Sequence, residues 1–485
     1  MARPFSFGGI ELDVNAGDAV AVAEPETLLL KPEAEDPFRI LVLGDFGGRA
    51  RGFSRPLQVD RDNLNEVIRA LEVQANISLA DNATPFTLNF TSLEDFEPDS
   101  LFARCDLFRA LEQTPQDVQP PKSSAAAAQR SVEANAARLN TGSLLDAIVE
   151  QHDTSVESPI AGLARSANQD ELRQIIDRTI EPHLQPRQTS GALQAAAERK
   201  QRMNVLMRAI LHEPHFQALE AAWRSLNFLI GNVENDSLVK VYLVDISKEK
   251  LASDLLDSSA FRDSDTYRAI LEDSVRTPGA EPWALIVGNY GFDPNFPRDV
   301  DLLAKLGMLA RAARAPFLAE AISPSDDNQE AFESWQALRR SSHASWLGLG
   351  IPRFLLRLPY GKTTTTVESF DFEEMPDAPQ HQTYVWGNPA FGCAYLFALS
   401  FCEVGWNFRP GLHLEIGSLP LHVYKSQGVT RIQPCAEVLL SESECENLLD
   451  AGLMPLPSVK DRDEVRMIRF QSIAYPPSAL SGRWV

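Results

Sequence analysis

The apolar residues near the start of the chain follow two periods. Residues Phe38 to Leu43 are almost all apolar, and Phe86 to Phe90 alternate between apolar and polar side chains, which predicts a buried strand and a half-buried strand. Between these segments the apolar positions recur at helical spacing, at Leu64, Val67, Ile68 and Leu71. The pattern therefore predicts a compact α/β unit over residues 36–113.

Polar residues mark the expected starts of the helices in this unit. Asp60 or Asp62 is placed to cap the first helix. Asp99 or Ser100 is placed to cap a second amphipathic helix, which is predicted to continue through Leu111.

A second and larger region begins near residue 195. Its first helical pattern is interrupted by Pro214, which predicts two helices or a kinked one. Further along, apolar strands in "SLVKVYLVDIS" and "EPWALIVGNYGF" alternate with helical segments in "KEKLASDLL" and "DVDLLAKLGMLARAARAPFLAE". This alternation predicts an α/β sheet with helices covering its faces.

The composition changes abruptly between the two regions. Residues 114–140 are rich in Pro, Gln, Ser and Ala, which is typical of a linker. The two short amphipathic segments that follow each need a surface to dock against. The predicted class is α/β (α+β), and the predicted organisation is an N-terminal extension (1–35), a small α/β unit (36–113), a linker (114–140), docking helices (141–190) and a larger mixed-sheet domain (191–485).

Charge and cysteine usage narrow the expected partners and compartment. The 45 basic and 67 acidic residues give a formal net charge of −22, which disfavours nucleic acid and anionic membranes as partners. The 5 cysteines form no CxxC motif, and their odd number favours reduced thiols. The first residues lack the pattern of a secretory signal, and no apolar run reaches the roughly 18 to 20 residues of a membrane span. We expect a cytoplasmic protein without membrane insertion.

The stretch "PFRILVLGDFGGRARGF" raises the question of nucleotide binding. A strand runs into glycines there, and Asp45-Phe46-Gly47 matches the magnesium-binding triplet of protein kinases. A phosphate loop requires GxxxxGK[ST], but Gly48 is followed by arginine and alanine. The chain also contains no HRD catalytic loop and no GxGxxG spacing. The pattern favours a buried strand that ends in a glycine turn.

Other chemical motifs are equally weak. His212 and His215 stand three apart, but Pro214 disrupts the helix where zinc ligands need rigid spacing. The acidic cluster from Glu94 to Asp99 fits helix capping better than a calcium loop. No GxSxG motif or Cys/His nucleophile signature is present. We therefore expect no cofactor, no metal and no enzymatic activity, and a structural or assembly role.

Several stretches, taken in order, resemble one biological system. A first series is similar to the large subunit of the contractile sheath of bacterial type VI secretion systems, over about residues 141–477: "GSLLDAIVEQ", "HFQALEAAWRSLNFLI", "VKVYLVDISKEKLASDL", "PWALIVGNYGFDPNFPRDVDLL", "LGLGIPRFLLRLPYG" and "VWGNPAFGCAYLFALSF". A second series resembles the N-terminal part of the small sheath subunit, over residues 36–113: "PFRILVLGDFGGR", "VDRDNLNEVI" and "LNFTSLEDFEPDSLF". The chain looks like both subunits joined in one polypeptide.

The resemblance implies an interlocked unit that polymerises into a helical tube around an inner tube, with energy stored in the lattice rather than drawn from catalysis. It implies partners among other copies or sheath subunits, and further ones among inner-tube, baseplate or sheath-recycling ATPase proteins. The helix that such an ATPase reads would correspond to Leu144, Leu145, Ile148 and Val149. Because family large subunits continue beyond the equivalent of "FQSIAYPP", most of a strand-donating C-terminal portion is expected to be missing.

Two groups of residues are expected to serve assembly. Phe38, Ile40 and Val42 are expected on an exposed sheet edge, where a neighbour could add a strand by β-augmentation. Arg353 and Arg357 are expected to pair with acidic residues, either inside the domain or across an interface. The alternative to a sheath component is a non-polymerising sheath-related cap, baseplate adaptor or regulator.

Overall fold

The computed structural model of the chain describes residues 6–7, 10–11, 32–49, 55–79, 85–113, 191–233, 238–257, 261–276, 281–322, 329–376 and 378–484. The predicted linker and docking helices lie outside the described residues, as do Leu144, Leu145, Ile148 and Val149. Most of the predicted N-terminal extension lies outside them as well. All of these stay predictions.

Strands and helices alternate along the described chain, as the apolar pattern predicts. The strands are β1 (Ser6–Phe7), β2 (Ile10–Glu11), β3 (Phe38–Gly44), β4 (Leu57–Val59), β5 (Gln74–Ile77), β6 (Phe86–Asn89), β7 (Val239–Asp245), β8 (Leu285–Phe292), β9 (Phe317–Ala321), β10 (Leu347–Ile351), β11 (Phe354–Leu355), β12 (Trp386–Gly387), β13 (Glu415–Ile416), β14 (His422–Ser426), β15 (Val429–Gln433), β16 (Met454–Pro455) and β17 (Val465–Arg466). The helices are α1 (Leu64–Ala70), α2 (Pro98–Arg104), α3 (Asp106–Gln113), α4 (Gly191–Leu211), α5 (Pro214–Gly231), α6 (Lys248–Leu256), α7 (Asp265–Tyr267, continued as a π-helix over Arg268–Arg276), α8 (Pro297–Ala313), α9 (Gln329–Arg339), α10 (Pro389–Val404) and α11 (Glu442–Asp450).

One seven-stranded sheet forms the centre of the fold, in the order β16-β10-β9-β8-β3-β7-β4. Neighbouring strands run parallel, except that β4 is antiparallel to β7. Every residue of β3 pairs with a residue of β7, and Ile40 to Leu43 also pair with β8. The mixed sheet with its helices confirms the predicted α/β class. Strands β3 and β4 come from the small predicted unit, and the other strands of this sheet come from the larger one.

Helices cover both faces of this sheet. Phe38, Ile40 and Val42 belong to an apolar cluster that includes residues of α5 and α10, whereas Leu41 and Leu43 belong to a second cluster with residues of α6 and α8. All five side chains are fully buried. A parallel strand that is covered on both faces needs apolar residues at successive positions, which explains the continuous apolar run in the sequence.

The structure corrects one predicted helix. The element predicted over residues 99–111 is two helices, α2 and α3, which are separated by the extended backbone of Cys105. On one continuous helix Phe102 and Phe108 would point roughly 120° apart. The break allows both rings to approach Phe370, with centroids 5.0 and 6.5 Å away.

The predicted N-caps of the first two helices were also wrong. Asn63 caps α1, and the side chain of Asp60 accepts hydrogen bonds from the backbone N–H groups of Asp62 and Asn63 in the preceding turn. Glu97 caps α2, in which proline occupies the first helical position. Proline is favoured there because its missing N–H would have no partner inside the helix.

The division of the long helical pattern at Pro214 is confirmed, whereas the prediction that no apolar run reaches the length of a membrane span was wrong. Pro214 divides the long helical pattern, since α4 ends at Leu211 and α5 begins at Pro214. Within the described residues, the segment Pro389–Asn407 is the one stretch long and apolar enough to cross a membrane by length and composition. Because 67% of its most apolar window is buried inside the protein, it has the surroundings of a core helix.

Candidate functional site

The candidate site is the junction, which we define as the contacts between residues 36–113 and residues 191–484. Strand β3 lies at its centre. The prediction of an exposed sheet edge beginning at Phe38 was wrong, because β3 has a hydrogen-bonded strand on each side. The ring of Phe38 instead packs 5.0 Å from that of Phe401 and 5.4 Å from that of Trp406, between centroids. A role of Phe38, Ile40 and Val42 between different chains stays a prediction.

Asp245, the last residue of β7, holds the glycine turn that follows β3. The backbone N–H groups of Phe46 and Gly47 donate to its Oδ1 at 2.8 and 2.9 Å. The indole N–H of Trp223 donates to the carbonyl oxygen of Phe46 at 2.9 Å. A phosphate loop would present such N–H groups to its ligand. Here a carboxylate of the same chain accepts them, and the segment is the predicted strand and turn.

Gly48 fixes the close approach of this turn to β5. Its φ is +65°, and a Cβ at this position would lie 1.9 Å from the backbone carbonyl oxygen of Gln74. Gly48→Ala is expected to lower the free energy of unfolding by about 2 kcal/mol or more, because it adds left-handed backbone strain to a backbone clash. Chemical unfolding of the purified variant measures the change.

Gly417→Ala is the matched control. A Cβ at Gly417 would have nothing within 4 Å, and its φ is not in the left-handed region. This variant is expected to stay within about 0.5 kcal/mol of the wild type. Equal stabilities of the two variants would contradict the role given to Gly48.

A second feature, the buried ion network, consists of Glu220, Arg224, Arg357 and Glu374 with the hydroxyl of Tyr360. Arg357 donates from Nε to Glu220 Oε1 at 2.7 Å and from Nη1 to Glu374 Oε2 at 2.8 Å. Arg224 donates to Glu220 Oε1 at 2.7 Å and to the Tyr360 hydroxyl at 3.0 Å. Both carboxylates are fully buried. The network connects α5 to the irregular segment after β11.

Charge pairing keeps this network ionised. Burial alone would raise the pKa of Glu374, but Arg357 and the imidazole of His212, 3.4 Å away, lower it to about 2. Burial alone would lower the pKa of Arg357, but Glu220 and Glu374 raise it well above its usual range. Removal of one member of such a network is strongly destabilising, because it leaves a buried charge uncompensated.

Contacts outside the sheet extend the junction. The carboxylate of Asp99, on α2, accepts hydrogen bonds from the backbone N–H of Ser369 at 2.7 Å and of Glu368 at 3.1 Å. Phe370 packs beside this contact against Phe102 and Phe108. Asp99 therefore joins the two regions and does not cap a helix.

Arg353 and Arg357 both pair with acidic residues inside the chain, and a role of either across an interface stays a prediction. Arg353 forms a bidentate pair with Glu437, at 2.7 and 2.5 Å. Its Nε also lies 3.6 Å from Oε1 of Glu320, on β9. Burial raises the pKa of Glu320 to about 7, although Arg353 opposes the shift.

Glu320 is expected to make stability depend on pH. Its ordinary pKa is 4.5, so between pH 4.5 and about 7 the folded protein holds a proton that the unfolded chain has released. The free energy of unfolding therefore falls as pH rises through this window, by on the order of 2 to 3 kcal/mol from this group. Glu320→Gln is expected to flatten that slope and to raise the melting temperature at pH 8 relative to the wild type.

Melting temperatures at pH 5 and pH 8 measure this effect. Glu66→Gln changes an exposed carboxylate and serves as the control, with the wild-type slope expected. An unchanged slope in Glu320→Gln would contradict the assignment.

The described residues contain no group of three or more His, Cys, Asp or Glu side chains arranged to hold a metal ion. His212 and His215 have different carboxylate neighbours: Nε2 of His212 lies 3.4 Å from Glu374, and Nδ1 of His215 lies 3.1 Å from Glu213. The two imidazoles do not converge on a shared acidic partner.

Several residues of the junction and of the buried ion network were not predicted from the sequence. Glu220 follows Phe216 by four positions, so it lies on the apolar stripe of α5, where a carboxylate signals a buried partner. Asp245 ends an apolar strand and gives a similar signal. Glu374 stands in an irregular segment without periodicity, where the sequence carries no comparable signal.

Comparisons with known proteins match the smaller and the larger region of the chain to two different families. Residues 194–325 and 323–474 match VipB, the family described as EvpB/VC_A0108, tail sheath N-terminal domain. Residues 23–128 match the family described as Type VI secretion system, VipA, VC_A0107 or Hcp2. The type VI secretion system sheath protein TssC1 of Pseudomonas aeruginosa is 33% identical over 290 residues, which is 55% of this chain and 58% of that protein. The chain thus spans 58% of the length of this curated relative.

Strands from two separately matched regions complete one sheet, so the chain is an α/β protein whose two regions share a core. More specifically, the chain belongs to the type VI secretion tail sheath family, since the VipB match covers more than half of it. The VipA match contains β3 and β4, so the chain combines small-subunit and large-subunit sheath domains in one polypeptide. The resemblance predicted from the sequence is confirmed.

Proposed function

We propose that this chain is a structural, non-enzymatic component of a type VI secretion contractile sheath or a sheath-like assembly in the cytoplasm. One observation carries the proposal: β3, from the VipA-matched region, completes the sheet of the VipB-matched region. Phe38, Ile40 and Val42 are then the internal counterpart of a small–large subunit interface. The linker and docking segments are proposed to join the two regions.

The junction supports a mechanical role. Continuous main-chain pairing along β3 resists separation of the two regions under load, and the buried ion network holds α5 to the segment after β11 within the larger region. Main-chain hydrogen bonds act together along a strand, so their rupture requires that many bonds break at once. In this proposal work comes from rearranged subunit contacts, and no chemical step is assigned to the chain.

Partners follow from the same proposal. Other copies of the chain or other sheath subunits are the first candidates, and inner-tube and baseplate proteins are further ones. A sheath-recycling ATPase is proposed to contact the segment with Leu144, Leu145, Ile148 and Val149. That segment resembles the N-terminal helix of the large subunit.

A second candidate function is a non-polymerising sheath-related cap, baseplate adaptor or regulator. The edges of the seven-stranded sheet favour it. Strand β4 pairs over only three residues and β16 over only two. Short edges offer few free main-chain groups to an added strand, so β-augmentation there would be weak.

Negative-stain electron microscopy of the purified chain, with sedimentation at several concentrations, tests the leading proposal. Rings or tubes of regular diameter are the expected result. A monodisperse monomer or dimer at every concentration would contradict self-assembly. If that species bound one end of separately purified sheath tubes, the cap or adaptor function would replace the sheath function.

A further inference from the structure

The hairpin β14–β15 carries an exposed apolar face. Gln427 and Gly428 connect its strands with φ values of 53° and 77°, as a two-residue hairpin turn requires. Val423 and Ile432 lie directly opposite each other and are 51% and 44% exposed. Lys425 shares their face, because side chains alternate along a strand. A cross-strand apolar pair with this exposure is typical of a contact surface.

An open cleft adjoins the hairpin, which lines it with residues of both faces, including His422 and Tyr424. The cleft has a volume of about 380 Å³, and Val423 and Lys425 line it from the hairpin. Its other walls include the apolar residues Pro359, Met375 and Pro376, and also the carboxylate of Glu373. The cleft therefore has room for a large aliphatic side chain beside a cation.

The segment that leads into α11 has complementary features. Val438 and Leu439 are 51% and 68% exposed. Glu442 and Glu446 follow them on α11, four residues apart, and both are exposed. Residues four apart lie on the same face of a helix. The segment thus presents two aliphatic side chains next to two carboxylates.

The charges of the two surfaces lack partners within the described part of the chain. None of Lys425, Arg431, Glu442 and Glu446 forms an ion pair with another described residue. The hairpin from His422 to Gln433 contains two cations and no acidic residue, although the whole chain has a formal net charge of −22. Opposite charges beside exposed apolar pairs are complementary.

We propose that the hairpin of one copy binds the α11 segment of a second copy. Val438 and Leu439 of the second copy enter the cleft, and Glu442 and Glu446 face Lys425, while Arg431, on the other face of the hairpin, adds to its positive charge. This contact rests on the proposed function and specifies how copies meet. Because its two sides are different surfaces, it is heterologous, and repetition gives a ring or an open helical assembly.

Zero-length carbodiimide crosslinking tests the contact directly. Equal amounts of unlabelled and 15N-labelled protein are mixed and crosslinked, and the peptides are analysed by mass spectrometry. The expected product joins Lys425 to Glu442 or Glu446 and contains one labelled and one unlabelled peptide. Mixed labelling reports contact between copies even when the species is only a dimer.

Charge reversal gives an independent test. Lys425→Glu with Arg431→Glu, or Glu442→Lys with Glu446→Lys, is expected to weaken self-association roughly ten-fold or more, because like charges then oppose each other. An equimolar mixture of the two double variants is expected to restore association, since each hairpin then meets a helix of opposite charge. Lys460→Glu with Arg469→Glu, at exposed positions elsewhere, is the control and should leave association unchanged. Unchanged melting temperatures verify that each variant is folded.

The outcomes separate this contact from the proposed function. If the protein forms tubes that give no mixed-label crosslink and do not respond to charge reversal, that result would overturn the contact and leave the sheath function in place. Crosslinked dimers or short oligomers without tubes would support the contact and count against a sheath. A protein that does not self-associate at any concentration tested would overturn both the contact and the proposed sheath function.

Discussion

Replacing Arg357 by leucine is expected to lower the free energy of unfolding by about 3 to 5 kcal/mol, because it leaves a buried carboxylate without its partner. Most of this loss arises at Glu374, which loses its arginine partner. Glu220 keeps one, because Arg224 remains 2.7 Å from it. The pairing with Arg357 and His212 holds the pKa of Glu374 at about 2, below its ordinary 4.5. Its contribution in the wild type is thus present above pH 4.5 and is lost as pH falls toward 2. This acid dependence should shrink in Arg357→Leu.

Chemical unfolding of two further variants isolates the cause. Arg49→Leu removes the Arg49–Glu72 pair, which is 3.3 Å long and exposed, and is expected to cost less than about 1 kcal/mol. Arg357→Leu combined with Glu374→Leu is expected to recover part of the loss, because no unpaired carboxylate remains at position 374. If Arg357→Leu were as stable as Arg49→Leu, the buried ion network would have no supporting role in the fold of the larger region.

Replacing Val42 by aspartate is expected to cost about 4 kcal/mol or more, or to abolish soluble folded protein, since it buries a carboxylate without a partner. Val42 is fully buried and pairs with Leu243 on one side and Val287 on the other. Its side chain lies in the apolar cluster that includes residues of α5 and α10, so a carboxylate there would be shielded from water. Soluble yield, far-ultraviolet circular dichroism and chemical unfolding measure the effect.

Val429→Asp provides the matched control. It places the same charge on a strand valine that is 59% exposed, and is expected to change stability by less than about 1 kcal/mol. A Val42→Asp protein that unfolded like this control would contradict the central position of β3 in the sheet.

Local patterns predicted the elements well, but not their neighbours. The apolar run at Phe38 and the helical spacing at Leu64 depend on residues close in sequence, so both were readable. The neighbours of β3 are β7 and β8, which lie far along the chain, and an apolar parallel strand fits a sheet interior in any order. Treated as part of an isolated unit, β3 was therefore assigned to an edge.

The junction and the buried ion network were predictable only in part, for a similar reason. Arg357 and Glu220 are separated by 137 positions, so no local spacing connects them. Arg353 and Arg357 were identified as pairing residues, but their acidic partners were not. The break at Cys105 depends on where Phe370 lies, and that position is set by tertiary packing rather than by the sequence of the helix.

Cleavage between the two regions is the most direct test of the shared sheet. A specific protease site is inserted after Pro121, the chain is cut, and the products are analysed without denaturant by size exclusion, native mass spectrometry and thermal unfolding. If β3 completes the sheet of the larger region, the two fragments stay together in a 1:1 complex and unfold in one transition. Separation of the fragments, with the larger one retaining its full thermal stability alone, would contradict a single protomer built through that sheet.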